Sequence, residues 1–152
     1  MGTDAGTNSE SRISEYEALQ TALRNLGEAL AAPDSEAQSW AAQLQVCIRA
    51  AVSAFERHRD SAEAPNGNLA RAAEVKPSLA RWVERLKEEH LEIIRKGQRF
   101  DGLISELLRF ENIPKDRFRL EGGILRDSIL LHMMLGAQLL YEMYFQEEGG
   151  EG

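Results

Sequence analysis

The last apolar stretch, Ile124 to Phe145 (ILRDSILLHMMLGAQLLYEMYF), limits what this chain can fold into more than any other feature. Its middle, LLHMMLGAQLL, is the most hydrophobic run in the sequence and carries one histidine, His132, at its centre. A segment this apolar is expected to be a helix buried among other helices. The run Ile129 to Leu135, interrupted by His132, is far shorter than the roughly 20 residues a membrane span needs. A histidine in such a helix is either a packed core residue or a ligand. Which of the two it is depends on whether other helices aim matching groups at it.

Three further amphipathic patterns supply those helices. In the first, Ile13, Tyr16, Leu19, Leu23, Leu26 and Leu30 recur at three- and four-residue intervals, and Ala31-Ala32-Pro33 ends the pattern. Ser35 with Gln38 predicts a capping box for the second. That helix carries Trp40, Leu44, Cys47, Ile48, Ala51, Phe55, His58 and Ala62 on one face and stops near Glu63, before Pro65 and Asn66-Gly67. The connection that follows shows no repeated motif. The third pattern starts near Pro77-Ser78, and its stripe is Leu79, Trp82, Val83, Leu86, His90, Ile93 and Ile94, continuing through Gly97, Phe100, Ile104, Leu107 and Leu108. Asn112 and Pro114 end it, and Gly122-Gly123 leave the start of the fourth helix open. The fourth stripe runs Leu125, Ile129, His132, Gly136, Leu139, Leu140 and Met143. No alternating run bounded by turns reads as a strand.

The expected fold is therefore all-α, an up-down-up-down four-helix bundle over residues 12–148. The small polar residues 1–11 read as a disordered tail, and 149–152 as a frayed end. At 152 residues and 43% hydrophobic composition, one domain can bury a core without disulfides or a structural metal. The net charge of -7 argues against a nucleic-acid or anionic-membrane partner. A single cysteine, Cys47, and a polar N-terminus without an apolar leader suit a cytoplasmic protein. No nucleophile elbow, phosphate loop or paired-cysteine motif is present, and Cys47 reads as packed and unreactive, so no catalytic residue and no enzymatic activity are expected. The sequence does not indicate a protein partner.

The histidines are the distinctive residues. The chain has three, and each lies on the inward stripe of its own helix: His58, His90 and His132. Random placement on a stripe covering three positions in seven would do this in about one case in twelve. Helix one offers Tyr16 on its stripe. With a rise of 1.5 Å per residue, His90 falls roughly 18 Å below the start of its helix. That is near the mid-height expected for His132, with His58 and Tyr16 a turn or two above.

One histidine per helix, the segment RLKEEHLEIIRKG around His90, and LLHMMLGAQLLYEMYFQEEGG at the C-terminus resemble the bacterial hemerythrin-like (HHE cation-binding) family. The likeness covers essentially residues 12–150. It implies a four-helix bundle with a non-haem di-iron centre, and a role in binding dioxygen or sensing iron or redox state. By that resemblance, His58, His90 and His132 match the family's histidines on helices two, three and four, and Tyr16 stands where helix one has its histidine. Ala62 and Gly136, each four residues after a histidine, stand where the family carries bridging carboxylates.

Two irons a few Å apart repel each other, and bridging carboxylates offset that repulsion. Glu63, Asp60 and Glu89 are expected to point away from the stripe. The core then offers three imidazoles and a phenol, which suits one divalent ion such as zinc or ferrous iron better than two, with water or Tyr16 completing the shell. A metal-free core is the expected state. The alternative reading is a metal-free scaffold or interaction module, in which packing fills the former site. Gly136 with Met133, Met134 and Met143 could also leave a small apolar cavity beside the histidines.

Overall fold

In a computed structural model, the backbone is described for residues 3–145 and the side chains for residues 10–145. Among these residues all regular structure is helical: α1 (Thr3–Ala31), α2 (Ala37–Glu63), a short α3 (Asn68–Val75), a single 3-10 turn (Pro77–Leu79), α4 (Ala80–Leu107) and α5 (Lys115–Phe145). The four long helices pack in a ring. α1 lies against α2 and α5, α2 against α4, and α4 against α5.

The stripes read from the sequence form the core. Leu19, Leu23 and Leu26 of α1, Leu44, Ile48 and Phe55 of α2, Ile94, Phe100 and Ile104 of α4, and Phe118, Leu125 and Ile129 of α5 bury together in one large apolar cluster. A smaller cluster of Leu69, Ala72, Leu79, Val83, Leu86, Leu139 and Met143 fills the other end. The histidines fall between the two. His90 lies between Leu86 and Ile93, and His132 between Ile129 and Leu139. A polar layer thus divides two dry regions.

The helix ends depart from expectation in four places. First, α1 begins at Thr3, so residues 3–11 are helical and not a tail. Once the packed segment Leu19–Leu26 nucleates a helix, each further turn costs little. Second, the Ser35/Gln38 capping box does not form. α2 starts at Ala37 with no side-chain cap, and Gln38 donates instead to the Phe110 carbonyl at 3.3 Å. Third, the connection after α2 holds the eight-residue α3, whose Leu69 and Ala72 cover the smaller cluster. Fourth, α5 runs unbroken through Gly122-Gly123. Gly122 is buried against α1, and a Cβ there would lie 2.7 Å from Leu30 Cδ2, so this glycine permits close helix packing and does not end the helix. The expected fray at 149–152 and residues 146–148 of the bundle lie outside the described residues.

Arginines tie α5 to α1. Arg126 Nε donates to the Leu23 carbonyl at 3.0 Å. Arg119 donates to the carbonyls of Leu30 and Ala32, pairs with Asp34 Oδ2 at 2.8 Å, and stacks 4.6 Å over the Trp40 ring. At the end of α1, Arg119 thus satisfies the Leu30 carbonyl and Trp40 Nε1 that of Ala29, two of the orphan acceptors a helix C-terminus leaves. The Arg119 guanidinium, followed by Lys115, holds the Asp34 carboxyl below its ordinary range. No described helix is long and apolar enough to cross a membrane.

Candidate metal centre

The ring order of the helices brings His58 of α2, His90 of α4 and His132 of α5 to one point. One ligand nitrogen from each lies within 4.8 Å of the others. The ring centroids are 5.3 Å apart for His58–His90, 5.6 Å for His58–His132 and 4.5 Å for His90–His132. Phe55, one turn before His58, contacts all three rings at 5.3 to 5.6 Å and closes the group on the side of the larger core. His90 and His132 are buried, and His58 is partly so.

Two carboxylates that sequence reasoning aimed elsewhere approach the group. Glu89 Oε2 lies 2.8 Å from His132 Nδ1, and Glu63 Oε2 lies 3.5 Å from His90 Nδ1. Both expectations failed for the same reason. Angular position on an isolated helix ignores the reach of a glutamate toward a neighbouring helix, and α5 is the neighbour of α4. The adjacency Glu89-His90 is a usable signal, because a residue beside an inward-facing one sits at the seam with the next helix. Asp60, by contrast, does turn away and pairs with Arg59 at 2.9 Å.

The Glu89 contact fixes a tautomer. A carboxylate can only accept, so Nδ1 of His132 carries the proton and Nε2 keeps its lone pair. The Nδ1 of His90 is buried without a hydrogen-bond partner, an unsatisfied state that fully packed polar atoms rarely adopt. Burial, reinforced by the neighbouring His132, lowers the His58 pKa to about 4. Burial and the other two histidines lower that of His90 to about 3. His132 is lowered by burial too, against the opposing pull of Glu89. At neutral pH all three are neutral imidazoles, the form that binds metals.

A cavity of about 250 Å³ opens beside the rings on the side away from Phe55. Ala62, Leu69, Leu86, Met133, Gly136 and Leu139 make its mainly apolar wall. A Cβ at Gly136 would meet nothing within 4 Å, so the missing side chain is open space next to His132. Of the methionines weighed for this role, Met133 lines the cavity; Met134 is exposed and Met143 is packed in the smaller core. Tyr16 stands on the cavity rim with Arg12 and Glu15, 51% exposed, unlike the buried position its stripe suggested. The rim is fastened by Arg12 donating to the Asn66 carbonyl at 2.9 Å and by Ser61 donating to Glu15. Cys47 is buried away from this region, and burial pushes its thiol pKa up.

No family model, curated protein or solved structure matches this chain.

Proposed function

We propose that the protein is a metal-binding helical bundle in which His58, His90 and His132 hold one divalent transition-metal ion, and that its nearest architecture is the hemerythrin-like one. The carrying observation is the convergence of three neutral imidazole nitrogens, from three different helices, within 4.8 Å of one another. Chance core histidines have no reason to meet, and His90 Nδ1 is buried without a hydrogen bond, the Glu63 carboxylate standing 3.5 Å off. The up-down-up-down, hemerythrin-like arrangement is supported by the ring order of the helices and by the short links 32–36 and 108–114, which suit antiparallel neighbours.

The residues fit one ion and do not fit two. Nitrogen ligands about 2.0–2.1 Å from a tetrahedral ion stand roughly 3.3 Å apart, a contraction that side-chain rotation can supply. A di-iron pair would need bridging carboxylates, and Ala62 and Gly136 leave those positions without oxygen. Glu63 and Glu89, which do approach, each contact one histidine ring and do not join the point where the three nitrogens converge. Glu89 acts outside the ligand set by holding the His132 ring in its ligating tautomer. A bound ferrous or zinc ion would supply a Lewis-acidic centre, and the cavity that His58, His90 and His132 line has room for a small molecule such as dioxygen. The second reading is a metal-free scaffold. It is favoured by Phe55, which packs against all three rings.

Metal analysis of tag-free protein, with titration of cobalt(II) as a visible probe, separates the two. One ion per chain and tetrahedral absorption, both lost in His90→Ala, are expected. No uptake of cobalt, zinc or ferrous iron by a folded chain would leave the scaffold reading standing.

A further inference from the structure

α5 is apolar on nearly every side, yet the fold covers only one of them. Its inner face carries Phe118, Leu125, Ile129, His132, Leu139 and Met143, all buried. On the opposite side Leu120, Ile124, Leu131, Met134, Tyr141 and Phe145 are 44% to 69% exposed. With the exposed Asp127 and Gln138 they form one continuous row: 120, 124, 127, 131, 134, 138, 141, 145. The spacing alternates four and three without a break, the repeat of a helix seam that packs against another helix. Across about 39 Å of helix, such a stripe is foreign to a solvent-facing surface.

We propose that this outer face of α5 is a homodimer interface, in which two copies pair their α5 helices antiparallel about a two-fold axis passing between Leu131 and Met134. The row itself selects the partner. An isologous interface requires that residue i meets j and j meets i. Centred there, Leu120 meets Phe145, Ile124 meets Tyr141, Asp127 meets Gln138 and Leu131 meets Met134, each pair occurring twice.

The chemistry matches at every layer. Small aliphatic residues oppose aromatic ones at the ends, where Tyr141 and Phe145 already stack at 4.8 Å. The single acid in the row meets a single amide, which can donate to it. Parallel pairing would set Asp127 against its own copy, a like-charge contact that disfavours that orientation. The exposed apolar side chains together present on the order of 800 Å² per copy, the share one partner gives a standard specific interface.

A lipid surface is the poorer occupant. Asp127 sits within the row and Glu142 beside it. The basic residues, Arg117 paired with Glu121 and Lys96 and Arg99 of α4, gather at the Ile124 end and do not run along the stripe as interfacial helices require. Glu121 is already neutralised by Arg117 at 3.1 Å, so it adds little repulsion at the seam.

Sedimentation of the full chain at micromolar concentration should give a dimer, and the double variant Leu131→Glu/Met134→Glu a monomer, its mass halved with helical content retained. Orientation is read separately by mixing Asp127→Cys and Gln138→Cys chains under mild oxidation. The mixture should cross-link, whereas each alone should not, since like cysteines would lie roughly 16 Å apart along the axis. A monomeric wild-type chain, a dimer indifferent to the double variant, or a 127–127 disulfide would each overturn the proposal. A monomer that floats with lipid vesicles would overturn it too, and would give the stripe to a membrane.

Discussion

The contact between Glu89 and His132 shows how a residue outside the proposed ligand set would govern it. At 2.8 Å the carboxylate accepts the Nδ1 proton, and this alone decides that Nε2 is free to bind. Glu89→Gln keeps the shape but can present its amide nitrogen to the ring, which favours the opposite tautomer. Such outer partners are typically worth about 10- to 100-fold in metal affinity. Cobalt or zinc titrations of Glu89→Gln should therefore show weakening in that range with helicity unchanged. An unaltered affinity would mean that His132 binds through another atom or not at all. Arg85, 3.7 Å from the other Glu89 oxygen, is largely exposed and should matter far less.

Among the elements, the glycines of α4 and α5 have opposite characters that the sequence alone did not separate. Gly97 is buried where α4 meets α2, and a Cβ there would run into Val52 Cγ2. Valine is stiff at χ1 and cannot swing aside, so Gly97→Ala should destabilise by roughly 1–3 kcal/mol despite its better helix propensity. Gly136 has no neighbour within reach, and Gly136→Ala should stabilise by up to about 1 kcal/mol through propensity alone. Urea denaturation of both variants tests this pair, and a shared sign would refute the packing account. Periodicity located the faces of α2, α4 and α5 almost residue by residue, because burial of one face is what spaces the apolar positions. It failed at α3, which is too short for a period to be distinguished from chance, and at Gly122, where a helix-breaking residue serves a close contact. It also failed for the outer face of α5, since total apolarity suggested complete burial of that helix.

For the molecule as a whole, the histidine layer links stability to pH. The unfolded chain protonates each imidazole near pH 6.5, while the fold holds His58 near 4 and His90 near 3. Below pH 6.5 the unfolded state binds more protons than the native state, so stability falls with pH through this window and is fully present only above it. Between about pH 7 and pH 4.5 the loss should reach several kcal/mol, measured as a falling urea midpoint, with His90→Phe flattening the curve. A level profile in the unsubstituted chain would show that the rings reach solvent. That His90 and His132 would face each other was readable from their stripes and heights. That His58, expected a turn or two above, would join them at 5.3 to 5.6 Å, and that Glu63 and Glu89 would flank the group, was not, because both depend on which helices become neighbours. One contact bears on the freedom of the chain to change over evolutionary time. Arg119 and Arg126 grip α1 through the oxygens of Leu23, Leu30 and Ala32, groups every amino acid possesses. At the hydrogen-bonding level α1 can accept substitutions there freely. The obligation falls on α5, where a lysine at 119 would lose the planar fork that serves two carbonyls, a carboxylate and an indole face at once.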